Sequence, residues 1–167
     1  QRRFCMPQPS HVVVFDFDGT LIPDICLSLI NKVLSPDSRR HIDWLREKYL
    51  PKLFAGNLTS AEAIGLITSP IAVYVETGLR VEKIEEALST VQLRHGVRET
   101  LEWLWQCEIP VAIVSWGVAQ FIETIVKRQK VEKYIDRIYA AELAVKNGLV
   151  LGYRLGSVVI DQNKGDC

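Results

Sequence analysis

Two aspartates stand two positions apart in the run Val12-Val13-Val14-Phe15-Asp16-Phe17-Asp18-Gly19-Thr20. A carboxylate pair at that spacing, just past an apolar segment, suits phosphoryl transfer. That chemistry asks little covalent work of a protein: a nucleophile, a proton shuttle, and positive charge around the moving group. Asp16 and Asp18 can supply the first two, and their hard oxygens can also hold a divalent cation such as Mg2+. Gly19 permits a sharp backbone turn, and Thr20 offers a hydroxyl to a phosphate oxygen. An unrelated Asp-x-Asp is usually only a strand ending in a capping turn. Here the apolar run and the following Gly-Thr-Leu raise it above that reading.

These residues need a scaffold. The run from His11 to Phe15 reads as a buried parallel strand, and so does Val111-Ala112-Ile113-Val114, which leads into Ser115-Trp116-Gly117. Both strands carry polar residues at their C-terminal ends, where open α/β sheets bind ligands. Between them the pattern is helical. Helices are expected over 24–34, from Ser35-Pro36 to about Leu50 with Pro51 as the stop, from Thr59 to about Thr68 with Pro70 as the stop, and over 81–88. Thr59 and Glu62 have the spacing of a capping box. Gly96 precedes a further helix with Val97, Leu101, Leu104 and Trp105 on one stripe, and Gly117 opens another. Helices flanking a buried strand are the pattern of a parallel sheet. Residues 138–143 read as a strand, and Asn147-Gly148 as a hairpin turn between 143–145 and 149–151. The expected fold class is α/β: a Rossmann-like parallel core from 1–22 and 93–167, with an all-helical cap over 23–92.

Composition sets outer limits. The 167 residues are 48% hydrophobic and 24% charged, ordinary values for a packed domain. Lysine plus arginine and aspartate plus glutamate are 20 each, which argues against a general nucleic-acid binder. The four cysteines, Cys5, Cys26, Cys107 and Cys167, form no CxxC pair, so neither zinc nor a disulfide framework is expected. No apolar stretch approaches the ~20 residues of a membrane span, and no signal core is present. The expected setting is cytoplasmic. Gln1 in first place is consistent with a chain that begins inside a longer product, and Asn57-Leu58-Thr59 is read as a chance match to a glycosylation acceptor.

Asp16-Phe17-Asp18-Gly19-Thr20 resembles the first motif of the haloacid dehalogenase superfamily of phosphatases. The strand ending in Ser115 is similar to its second motif, and Lys164 in Asn163-Lys164-Gly165 to its third. The order is that of the family. The resemblance implies that Asp16 attacks phosphorus and forms an aspartyl-phosphate, and that Asp18 protonates the leaving alcohol and later deprotonates water. It implies Mg2+ on the Asp16 carboxylate and the Asp18 backbone carbonyl. It further implies that Ser115 donates a hydrogen bond to the phosphoryl group, that N–H groups around Trp116 and Gly117, at a helix start, add anion affinity, and that Lys164 supplies a point charge. The substrate class is a small phosphorylated metabolite. Nothing in the sequence sets the oligomeric state.

The helical insert resembles the small cap of the phosphoserine phosphatase branch, with departures. That branch places a glutamate shortly after the first motif to hold the substrate amine, where this chain has Asp24 as a near match. It uses a cap arginine for the substrate carboxylate, and the helix from Thr59 contains none. Trp116 is placed to stack on a flat or apolar leaving group. The family's fourth, acidic motif follows the lysine's helix, whereas only three residues follow Lys164. A C-terminally truncated phosphatase with an incomplete metal shell, weak Mg2+ affinity and impaired turnover is the resulting expectation. Two other readings share the fold: a non-catalytic binding module, and a phosphotransferase to an alcohol.

Overall fold

The computed structural model describes residues 11–154 and 156–159. Its sheet is parallel. Strand β1, Val13–Phe15, lies beside β2, Val111–Val118, in the register Val13↔Val111, Val14↔Ala112 and Phe15↔Ile113. Strand β3, Arg137–Ala141, lies on the other side of β2. Parallel neighbours need crossover connections, and helices supply them. Helices α1 (Cys26–Asn31), α2 (Pro36–Phe54), α3 (Ser60–Glu76), α4 (Val81–Ala87) and α5 (Val97–Gln106) separate β1 from β2, and α6 (Ala119–Arg128) separates β2 from β3. The α/β class is as the sequence implies. A hairpin of β4 (Leu143–Lys146) and β5 (Leu149–Tyr153) follows. Its turn residues Asn147 and Gly148 both have positive φ, the backbone a tight two-residue hairpin requires.

The helix ends differ from the sequence expectation, and the difference has a common cause. Pro51 and Pro70 lie inside α2 and α3 instead of ending them. A proline removes one backbone donor, but flanking packing can hold the helix through that loss. Pro70 is buried along with Ile71, Val73 and Tyr74, so the turn after it is anchored in the core. The real stops are Gly56 and Gly78, both at positive φ. At each, two backward bonds close a Schellman motif: Gly56 N–H to Leu53 and Asn57 N–H to Lys52, then Gly78 N–H to Val75 and Leu79 N–H to Tyr74.

The second strand is also longer than expected. It continues through Ser115-Trp116-Gly117 to Val118, and α6 opens at Ala119 rather than at Gly117. Pairing with β3 shifts register between Val114 and Val118. A bulge of this kind bends a strand and re-aims its side chains, and here it falls on the three residues of the candidate site.

One continuous apolar cluster joins the sheet to the helical segment. Phe17, Ile30, Tyr74, Leu88, Ile113 and Phe121 all belong to it and are fully buried. The hairpin ties the same parts together through backbone bonds. Val81 N–H donates to Gly148 at 2.9 Å, Val150 N–H to Leu79 at 3.2 Å, and the Tyr153 hydroxyl to the Ile67 carbonyl at 2.9 Å. Among the described residues, no helix is long and apolar enough to cross a membrane.

Helix α3 opens on the expected capping box. Thr59 Oγ1 accepts from Glu62 N–H at 3.3 Å, and the Glu62 carboxylate accepts from Thr59 N–H at 3.0 Å. Lys52 on α2 reaches the same carboxylate at 2.5 Å and, with the cap bonds, holds its pKa down at about 2. Thr59→Ala is expected to cost about 1 kcal/mol of stability, read as a lower urea midpoint at unchanged m-value. An unchanged midpoint would remove the cap from the account of how α3 is set.

Candidate active site

The site begins where β1 ends. Alternation along extended backbone puts Asp16 and Asp18 on one side and Phe17 on the other. Phe17 is fully buried in the core. Its carbonyl accepts from the N–H groups of Thr20, Leu21 and Ile22, which folds the chain back in a tight loop. Gly19 turns at φ +75, and its N–H donates to the Asp24 carbonyl at 3.2 Å. The loop thus presents two carboxylates from a backbone anchored by the residue between them.

The end of β2 meets that loop. Ser115 is 1% exposed, and its Oγ accepts from Gly117 N–H at 3.0 Å. That bond uses a lone pair, so the hydroxyl keeps its capacity to donate. Gly117 N–H is committed to this bond, and α6 starts two residues later, so the expected helix-start anion cradle around Trp116 and Gly117 is not formed as a helix terminus. A Cβ on Gly117 would lie 3.2 Å from Ser115 Oγ and 3.7 Å from Asp18 Oδ2. The tight approach is to Ser115 within the same strand, while the distance to Asp18 is an ordinary contact.

Asp18 is the perturbed group. Burial raises its pKa first, and the charges of Asp16 and Asp24 add to the rise. Hydrogen bonding from Cys26, including its N–H to Oδ1 at 3.4 Å, opposes it. Burial and the Asp18 charge push the Cys26 thiol up, so it stays protonated. The like charges beside Asp18 are also what a cation would relieve. The Asp16 carboxylate and the Asp18 backbone carbonyl are hard oxygen donors that suit Mg2+. Among the described residues, no cluster of three or more His, Cys, Asp or Glu side chains is placed to hold a metal.

A cavity of about 400 Å3 opens above this point. Asp16, Asp18, Ser115, Trp116 and Gly117 line one end. Ile25, Leu27, Ser28 and Asn31 come from the α1 region, Ile42, Arg46, Leu50, Leu53 and Phe54 from α2, and Leu66, Ile67 and Pro70 from α3. Trp116 also packs on the small cluster of Ala63 and Ile67. Of the residues singled out in the sequence, Thr20 is exposed and does not belong to the cavity wall. Lys164 lies outside the described residues.

Three polar wall residues went unnoticed in the sequence: Ser28, Asn31 and Arg46. The 28/31 spacing on a largely apolar helix was a usable signal. Arg46 had none, since α2 is rich in charge and its neighbours read as a solvated face. Helix α3 carries no arginine, and the arginine that lines the cavity, Arg46, comes from α2.

The Asp18 shift has a testable consequence. A raised folded pKa means that the native state holds this proton more tightly than the unfolded chain. The linked stability is therefore present below the ordinary carboxylate value near 3.8 and lost as pH rises through the raised value. In metal-free buffer, Asp18→Asn should raise the melting temperature at pH 7, and the gain should close as pH falls below that range. A substituted protein no more stable than the parent at pH 7 would contradict the assignment.

The family model for haloacid dehalogenase-like hydrolases matches residues 13–166. A 2-hydroxy-3-keto-5-methylthiopentenyl-1-phosphate phosphatase of Microcystis aeruginosa is 26% identical over 137 residues, which are 80% of this chain and 58% of that protein. The phosphoserine phosphatase of Methanocaldococcus jannaschii is 24% identical over 161 residues, 96% of this chain and 69% of the relative. This chain therefore spans little more than half the length of the first of these relatives. Among solved structures, a hydrolase of Salmonella enterica serovar Typhi superposes with a TM-score of 0.72 at 18% identity, covering 96% of this chain and 51% of that one. A substrate-bound phosphoserine phosphatase superposes at 0.64 and 21% identity, covering 88% and 63%. The structural likeness is one of fold, and together with the sequence match from β1 onward it leads to a plain conclusion: the chain belongs to the haloacid dehalogenase-like hydrolase family.

Proposed function

We propose that this chain hydrolyses a small phosphomonoester through an aspartyl-phosphate on Asp16, with Mg2+ as cofactor. The observation that carries the reading is the meeting of Asp16, Asp18, Ser115 and Gly117 at one end of a cavity large enough for a metabolite. An Asp16 oxygen attacks phosphorus in line with the leaving oxygen. Asp18, whose carboxyl is held protonated to higher pH than usual, gives its proton to that oxygen. The same group then takes a proton from the water that opens the acyl-phosphate. Ser115 donates its hydroxyl to a phosphoryl oxygen, and Lys164 adds a positive charge. Mg2+ on Asp16 and the Asp18 carbonyl supplies charge neutralisation when bound. The helical segment 23–92 serves as a cap over the phosphoryl end, and Arg46 at its edge attracts the anionic substrate.

The relatives named above bear on substrate choice in different directions. Phosphoserine has a charged leaving group, and the methylthiopentenyl phosphate a largely uncharged one. The wall of this cavity is mainly apolar, which favours the second kind. Asp16→Asn in the intact protein should reduce Mg2+-dependent hydrolysis of an aryl phosphate to background while circular dichroism stays unchanged. Beryllofluoride with Mg2+ should raise the melting temperature of the parent and not of the variant. Full activity in the variant would end the nucleophile assignment. Adding a primary alcohol and analysing products separates hydrolysis from phosphotransfer.

A further inference from the structure

The cavity wall is apolar except at a few points, and two of these stand together. Ser28 and Asn31 lie one helical turn apart on α1, and both line the cavity. Asn31 is 4% exposed, an unusual burial for an amide. Its Oδ1 accepts a hydrogen bond from the Tyr74 hydroxyl at 2.7 Å. Burial pushes the Tyr74 phenol up, so that hydroxyl keeps its proton. The bond fixes the amide: with Oδ1 turned to Tyr74, the Nδ2 donors face away from it. Neither Asn31 Nδ2 nor Ser28 Oγ has a hydrogen-bond partner among the described residues. A buried donor left unmade is costly, and native folds keep few of them. Both groups sit within one turn of helix, on residues that line the same cavity as Asp16.

The rest of the wall restricts the surroundings of any acceptor placed there. Ile42, Leu66 and Pro70 face the same space, and they offer no countercharge. Arg46 lines both this cavity and a surface groove beside Asp43 and Glu47, which puts it at the rim. A charged group carried deep into this wall would lose hydration without gaining a partner. Resting on the phosphatase reading above, we infer that the substrate is a phosphomonoester of an apolar alcohol that bears one uncharged acceptor oxygen, and that Asn31 and Ser28 recognise that oxygen. Tyr74 acts through Asn31 as a positioning residue. The pair selects the substrate; the chemistry stays with Asp16 and Asp18.

Binding tests this independently of turnover. Two alkyl phosphonates of equal length, one with a mid-chain ketone and one with a methylene in its place, are titrated calorimetrically into the intact protein with Mg2+. A seryl phosphonate is the charged comparator. The ketone should bind about tenfold or more tightly than its methylene analogue, and more tightly than the seryl compound. Ser28→Ala and Asn31→Leu should each bring the ketone-to-methylene ratio towards one, and Tyr74→Phe should reduce it. Equal affinity for the matched pair, no binding of either, or preference for the seryl phosphonate overturns the inference. So does a ratio that survives both substitutions while only the melting temperature falls, because that is the behaviour of purely structural groups. Aryl phosphate turnover in the same preparations judges the phosphatase reading separately.

Discussion

Parallel pairing of β1 with β2 is the constraint on which the site depends. The two strands run the same way and in register, Val13 to Val111 and Phe15 to Ile113, so their C-terminal ends emerge side by side. Asp16 and Ser115 are almost one hundred residues apart in the chain, and this pairing makes them neighbours. Phe17 fixes one strand end by burial, and a register shift between β2 and β3 after Val114 marks the other. Gly117 lies beside Asp18, close enough for ordinary contact.

Close approach creates the electrostatics. Asp18 is removed from much of its water and placed near two other carboxylates. Both effects oppose its charged form, so the group is set up to hold a proton or to draw a cation. A carboxyl poised in this way is a stability cost in the isolated fold. Its neighbour Cys26 lessens that cost through hydrogen bonding and remains an unreactive thiol.

The helical segment is joined to this centre by packing rather than by a simple hinge. The apolar cluster runs without a break from Phe17 into α1 and α3. The β4–β5 hairpin crosses back to bond the residues before α4 and the carbonyl of Ile67. Lys52 and Glu62 join α2 to α3 at the surface. These ties hold the cavity walls at a set distance from the carboxylates, so side chains on α1, α2 and α3 shape what lies above Asp16.

Much of this was legible in order of residues alone, because some signals are local. The apolar run before Asp16 favours a strand bounded by a turn, although Val12 and Val14 are exposed where burial was expected, because one face of β1 is left uncovered among the described residues. Asn147-Gly148 needs no partner to favour a hairpin, and Thr59 with Glu62 builds its cap within four residues. Other features depended on who packs against whom. Pro51 and Pro70 read as stops, yet packing carried the helices past them to glycines that close the backbone bonds. Gly117 read as a helix start, yet β2 resumes pairing with β3 at Val118, so Ser115 to Gly117 lie in a bulge within the strand. Periodicity identifies the apolar face of a helix but not the element that meets it, so Asn31 and Ser28 gave no sign of sharing a wall with Arg46. The sequence by itself determined the family and the α/β class, and it pointed to the candidate carboxylates Asp16 and Asp18, whose backbone turn and neighbours lie within a few residues. Only the tertiary structure decided the shape and polarity of the cavity above them, because that surface is assembled from three helices whose contacts no local pattern encodes.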